Sequence, residues 1–101
     1  MLVRITTSWD GGDIEPDPDG FVHLSWAEEV EGTIRRHHPD AHELTLLVID
    51  EDALLPGALR VEPSTGGAAY PHLYATLPAT AVVRALPWRQ GDPLDPSRLA
   101  R

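Results

Sequence analysis

Short apolar runs alternate along the chain with loops rich in Asp, Gly and Pro, and the spacing inside each run decides what it forms. Residues 2–6 (Leu2, Val3, Arg4, Ile5, Thr6) read as a first strand, and the polar stretch 8–20 that follows is expected to be a loop in water. Residues 21–24 make a second short strand. Side chains alternate across a strand, so Phe21, His23 and Ser25 share one face while Val22 and Leu24 take the other, apolar one. Ser25-Trp26-Ala27-Glu28 has the spacing of a capping box and predicts a helix with Ser25 at its N-cap. Trp26, Ala27, Val30, Ile34 and His37 recur at near-helical spacing as its buried stripe, and Pro39 ends it. Residues 44–49 are apolar on both alternating faces, the pattern of a central strand covered from both sides. A helical turn at 50–54, a strand at 59–62 stopped by Pro63 and a Ser-Thr-Gly-Gly loop, a strand at 70–74, a turn at 77–81 and a last strand at 82–88 complete the series.

Five or six short strands with one real helix predict an α+β domain, the helix lying on a curved, mostly antiparallel sheet; one helix is too few for a doubly wound fold. A chain of 101 residues has room for one domain, expected over 1–89, with 90–101 as a loosely ordered tail of Gly, Pro and Asp. There is no cysteine, so disulfides, thiolate nucleophiles and cysteine zinc sites are excluded. Sixteen acids against eight arginines give a net charge of −8, the wrong sign for a nucleic-acid backbone. Thirteen of those acids fall in residues 1–52 beside only Arg4, Arg35 and Arg36. No run is long enough to span a bilayer and no signal-peptide core is evident, so a soluble, cytoplasmic protein is expected.

Candidate chemistry falls in two places. His23 and Ser25, at a strand end just before the expected helix N-terminus, would look onto free backbone N–H groups that attract an anion; alternatively Ser25 only caps and His23 only bonds a carbonyl. Tyr70, His72 and Tyr74 share one face of an extended segment, where His72 could move protons with a tyrosine hydroxyl beside it, and Glu62 is the natural carboxylate partner if the two strands pair. The bland alternative is that both tyrosines merely pack. His38 and His42 have the spacing of helical metal ligands, but Pro39 removes that geometry, and His37 and His38 read instead as imidazoles favoured by the helix C-terminal dipole. No metal site is expected. Glycine-rich nucleotide loops and the nucleophile-elbow pattern are absent.

The fragments Gly20-Phe21-Val22-His23-Leu24-Ser25, Leu59-Arg60-Val61-Glu62, Tyr70-Pro71-His72-Leu73-Tyr74 and the run 77–87, taken in order, resemble the bacterial domain-of-unknown-function 952 family. That resemblance implies an ADP-ribosyltransferase-like fold, a split and curved pair of small sheets around a cleft, and by analogy NAD or an ADP-ribose-like ligand. It marks His23, Ser25, Glu62, His72 and Tyr74 as cleft residues. Two departures stand out: Arg4 occupies a first-strand position where the family usually has His, and the segment before Gly20 is shortened to residues 10–19. An arginine there would hold an anion instead of moving a proton.

These readings leave three functions open. One is a transferase-like enzyme binding or processing NAD or a phosphorylated ligand, with Arg4, Ser25, Tyr70 and Tyr74 binding it and His23, Glu62 and His72 catalytic. Another is an acid/base enzyme on a different small molecule, from an accessory or biosynthetic pathway. The last is a non-catalytic ligand-binding or interaction module.

Overall fold

The strand β4 (Glu43–Ile49) is central because it is apolar on both faces, and the computed structural model, which describes residues 2–63, 69–94 and 99, places a layer against each. Leu44, Leu46 and Val48 point into one core, where Val30 and Ile34 of the helix α1 (Val30–His37) cover them. Leu47 and Ile49 point into a second core and meet Val22, Leu24, Leu73 and Leu77. Beside β4 runs β1 (Leu2–Thr6), with Leu2 opposite Ile49 and Thr6 opposite Thr45; its Val3 and Ile5 face α1 while Leu2 faces the other core.

Two antiparallel sheets result. With β2 (Val22–His23), β3 (Ser25–Trp26), β5 (Leu59–Pro63), β6 (Ala69–Leu73) and β7 (Val82–Arg89), the orders are β3-β1-β4-β7 and β2-β6-β5. The expected α+β class with antiparallel sheets and one helix is therefore observed. Residues 22–26 serve both sheets: Val22 and His23 pair with Leu73 and His72, and two residues on Ser25 and Trp26 pair with Val3 and Leu2. Leu24 turns the corner, its N–H donating to the Pro71 carbonyl at 3.2 Å.

Three expectations change. The helix does not begin at Ser25, because that residue is drawn into the ladder with β1; a 3₁₀ turn at Ala27–Glu29 intervenes, and no side chain caps either the turn or α1. Ser25 is buried, and its Oγ donates to Thr33 Oγ1 at 3.4 Å. His37 is exposed, so the buried stripe is Ala27, Val30 and Ile34. The loop before β2 is not simply solvated: Ile14 and Leu77 exchange two backbone hydrogen bonds of 2.8 Å, and Ile14 packs against the inter-sheet core. Of the expected tail, residues 95–98, 100 and 101 lie outside the described residues, while Leu94 and Leu99 pack into the core beneath α1.

Candidate functional site

Antiparallel registry sets the site. His23 lies opposite His72 across β2 and β6, and on the other flank of β6 Arg60 lies opposite His72 and Glu62 opposite Tyr70. Side chains of paired residues emerge on one side of a sheet, so the three-stranded sheet turns Val22 and Leu73 to the core and presents His23, Arg60, Glu62, Tyr70 and His72 together on its other face.

The centre of that face is a carboxylate. Glu62 Oε1 is 2.9 Å from His72 Nδ1 and accepts from the Tyr74 hydroxyl at 2.5 Å. Those two bonds, the tyrosine's first, hold the Glu62 carboxyl below the usual glutamate range, and the same contact pushes the Tyr74 hydroxyl above its ordinary value. An ionised carboxylate only accepts, so Nδ1 of His72 carries the hydrogen and Nε2 is the nitrogen left for other chemistry. Phe21 stacks on the imidazole with centroids 4.0 Å apart and 22° between planes, which fixes the ring's tilt. His72 is only 17% exposed in its side chain, whereas Glu62 is 35% exposed.

His23 presents its ring edge to His72, centroids 5.6 Å apart and planes at 69°. Its Nε2 sits 2.8 Å from Asp19 Oδ2 and 3.6 Å from Asp17 Oδ2, so a second imidazole is anchored by carboxylates beside the first. The turn that delivers them closes with the Gly20 N–H donating to the Asp17 carbonyl at 2.8 Å, and Gly20 adopts φ +100°. A Cβ at Gly20 would meet nothing within 4 Å, so Gly20→Ala is expected to cost about 1 kcal/mol from backbone conformation alone, read by urea unfolding. Asp17, Asp19 and His23 each offer a ligand atom within 4.8 Å of the others, a spacing that would suit a cation. All three side chains are at least 40% exposed, and the His23–Asp19 hydrogen bond already satisfies its two groups.

Of the residues singled out in the sequence, His23, Glu62, His72 and Tyr74 come together. Arg4 joins them only through the backbone, Nη1 donating to the His23 carbonyl at 3.0 Å. Tyr70 shares the face but turns to Arg36, which donates to its hydroxyl. Ser25 stands apart on β3, turned to α1. Phe21, Asp17, Asp19, Arg36 and Arg60 complete the surroundings; the Arg60 guanidinium lies 4.9 Å from the Tyr74 ring centroid. For Phe21 a signal existed, its alternation with His23. For Asp17 and Asp19 it was the Gly20 turn bringing them back on the strand. His38, expected to gain from the helix dipole, instead has its pKa lowered, first by burial and then by the charges of His37 and Arg4.

Because the Glu62 carboxyl is held low, its bonds stabilise the fold fully above the ordinary glutamate range, and that contribution disappears as pH falls through the folded-state value. The stability difference between wild type and Glu62→Gln should therefore shrink as pH is lowered from about 6 to about 3. Urea unfolding at each pH measures it; a difference that stays constant would show that the carboxylate bonds do not form.

Fold and site together define a two-sheet α+β domain with carboxylate-anchored imidazoles on an open sheet face. The chain belongs to the family described as Protein of unknown function (DUF952), which matches residues 7–85. It is similar to the crystal structure of protein CC0527 from Caulobacter crescentus, with a TM-score of 0.74 and 31% identity over 85% of this chain and 83% of that one. The solution NMR structure of CC0527 gives a TM-score of 0.71 and 30% identity over 84% and 81%. No curated protein matches the chain. Among the described residues no helix is long and apolar enough to cross a membrane.

Proposed function

We propose that the polar face of the three-stranded sheet is an acid/base active site for a small molecule, with His72 Nε2 as the base that takes a proton from substrate. The observation that carries this reading is the Glu62 contact with His72 Nδ1 at 2.9 Å, which selects the tautomer with Nε2 unprotonated and stabilises the imidazolium formed on proton uptake. Tyr74 holds the carboxylate from its other side, and Phe21 orients the ring. His23, anchored on Asp19 through Nε2, has its Nδ1 available to contact substrate beside His72.

A second reading is an ADP-ribosyltransferase-like fold binding NAD or an ADP-ribose-like ligand. What favours it is the division into two small sheets at the Leu24 corner, with an arginine from β1 at that corner. One experiment addresses both readings. The full chain is incubated with a metabolite panel that includes NAD and ADP-ribose, and consumption is followed by mass spectrometry for wild type and His72→Ala. The expected result is a compound consumed by wild type, with turnover reduced at least about 100-fold in the variant. Turnover that His72→Ala leaves intact would remove His72 from the chemistry. Binding without turnover of any compound would favour a ligand-binding module.

A further inference from the structure

Register places three side chains in a row across the polar face of the three-stranded sheet: His23 on β2, His72 on β6 and Arg60 on β5, each opposite the next and about 5 Å apart at the backbone. The proposed base therefore has an imidazole on one flank and an arginine on the other. The imidazole is tied down by Asp19. The arginine has no such partner: Arg60 is exposed, and although the chain carries a net charge of −8, no carboxylate among the described residues comes within 4.0 Å of its guanidinium and no side-chain hydrogen bond engages it.

What holds Arg60 is the ring of Tyr74. The Tyr74 N–H donates to the Ala58 carbonyl at 2.8 Å, which carries the pairing of β5 and β6 one residue further, and the Tyr74 hydroxyl reaches along β5 to Glu62. Arg60 lies midway between Ala58 and Glu62, so the ring passes beside it, and the guanidinium carbon sits 4.9 Å from the ring centroid. An aromatic face steadies a guanidinium and leaves its N–H groups to bond outward. The carboxylates of this face are spent elsewhere, Glu62 on His72 and Tyr74, and Asp17 and Asp19 on His23. A steadied fork of donors with no acceptor among the described residues is the complement of an oxyanion.

We propose that Arg60, steadied on the ring of Tyr74, binds the phosphate or carboxylate group of the small molecule on which His72 acts. Arg60 and His72 are direct cross-strand neighbours on one face, so a small anionic molecule held by the guanidinium has its other end at the imidazole. Glu62 then organises both halves of the site: it sets the tautomer of His72, and by holding the Tyr74 hydroxyl it fixes the ring against which Arg60 rests. Only the placement of the reacting end at His72 rests on the acid/base reading; the oxyanion contact does not.

The test is an NMR titration of the full chain with inorganic phosphate and, separately, with acetate, each taken to about 100 mM at constant ionic strength so that general screening does not change. Saturable shifts of the Arg60 Nε–H and Tyr74 ring signals are expected with at least one anion. The dissociation constant should rise about tenfold in Arg60→Met, a change at an exposed position, and stay unchanged in Arg35→Met on the distant helix. Tyr74→Leu should weaken binding, whereas Tyr74→Phe, which keeps the ring, should recover most of it. Tighter binding of phosphate assigns a phosphorylated ligand, and tighter binding of acetate a carboxylate. No saturable shift with either anion, or equal binding by Arg60→Met and wild type, would overturn the proposal; wild-type binding by Tyr74→Leu would overturn the part given to the ring. If His72-dependent turnover is found in a protein that binds neither anion, the role of Arg60 is wrong and the acid/base site stands. If Arg60-dependent binding occurs with no turnover of any panel compound, the oxyanion contact stands and the catalytic reading falls.

Discussion

Truncating Leu47 to alanine is expected to lower the unfolding free energy by about 2–5 kcal/mol. Leu47 is 0% exposed at the middle of β4, where it fills the space between the two sheets among Leu2, Val22, Leu73 and Leu77. Neighbours on both β1 and β7 hold the strand by backbone hydrogen bonds, so it cannot move inward to close the cavity. Domains of this size have total stabilities of about 5–15 kcal/mol, and a loss of this magnitude moves the urea midpoint by a large fraction of its value. Val61→Ala is the contrasting change: at 55% exposure on β5 it should stay within about 0.5 kcal/mol of wild type. Equal effects from the two substitutions would mean that the sheets do not pack against each other through Leu47.

On the acid/base reading proposed for this face, Glu62→Gln is expected to reduce turnover of any compound the wild type consumes by about 100-fold or more, although it preserves shape. The carboxylate can only accept, which compels His72 to carry its hydrogen on Nδ1; an amide can also donate, and then Nδ1 becomes the acceptor and Nε2 takes the hydrogen. The imidazole remains but presents the wrong nitrogen, and the countercharge for the imidazolium is gone. Tyr74→Phe should do less, since Glu62 keeps its charge and its bond to His72. Kinetics on the compound found by the panel, with ¹⁵N spectra reporting the His72 tautomer, separate the two effects. A Glu62→Gln variant of wild-type rate would show that Glu62 plays no part in orienting His72 as the proposed base.

How far the residues themselves foretold this arrangement depends on where each interaction comes from. β4 was legible because burial on both faces leaves an uninterrupted apolar run, and the polar face of β6 because Tyr70, His72 and Tyr74 alternate with Pro71 and Leu73. The Glu62–His72 partnership followed once those two strands were paired. The start of α1 was misread because a capping box is a local pattern, and pairing of Ser25 with Val3 across the sheet outweighs it. Arg36 was unreadable as part of the site for a related reason: on an exposed helix face an arginine looks like any solvated charge, and only the packing of α1 against β3 and β1 brings it to Tyr70. The ADP-ribosyltransferase-like assignment came from resemblance and remains part of the proposed function.

The short segment Val22–Trp26 belongs to both sheets, with a single residue, Leu24, between its two pairings. Peeling β2 away from β6 pulls directly on the ladder with β1, and loosening β1 releases His23 in turn. Such a domain has no seam along which half of it can melt alone. Amide hydrogens on β1 and β6 should then exchange with solvent through the same global opening, with equal free energies, and any ligand seated at His72 should slow exchange on the distant sheet as much as on its own.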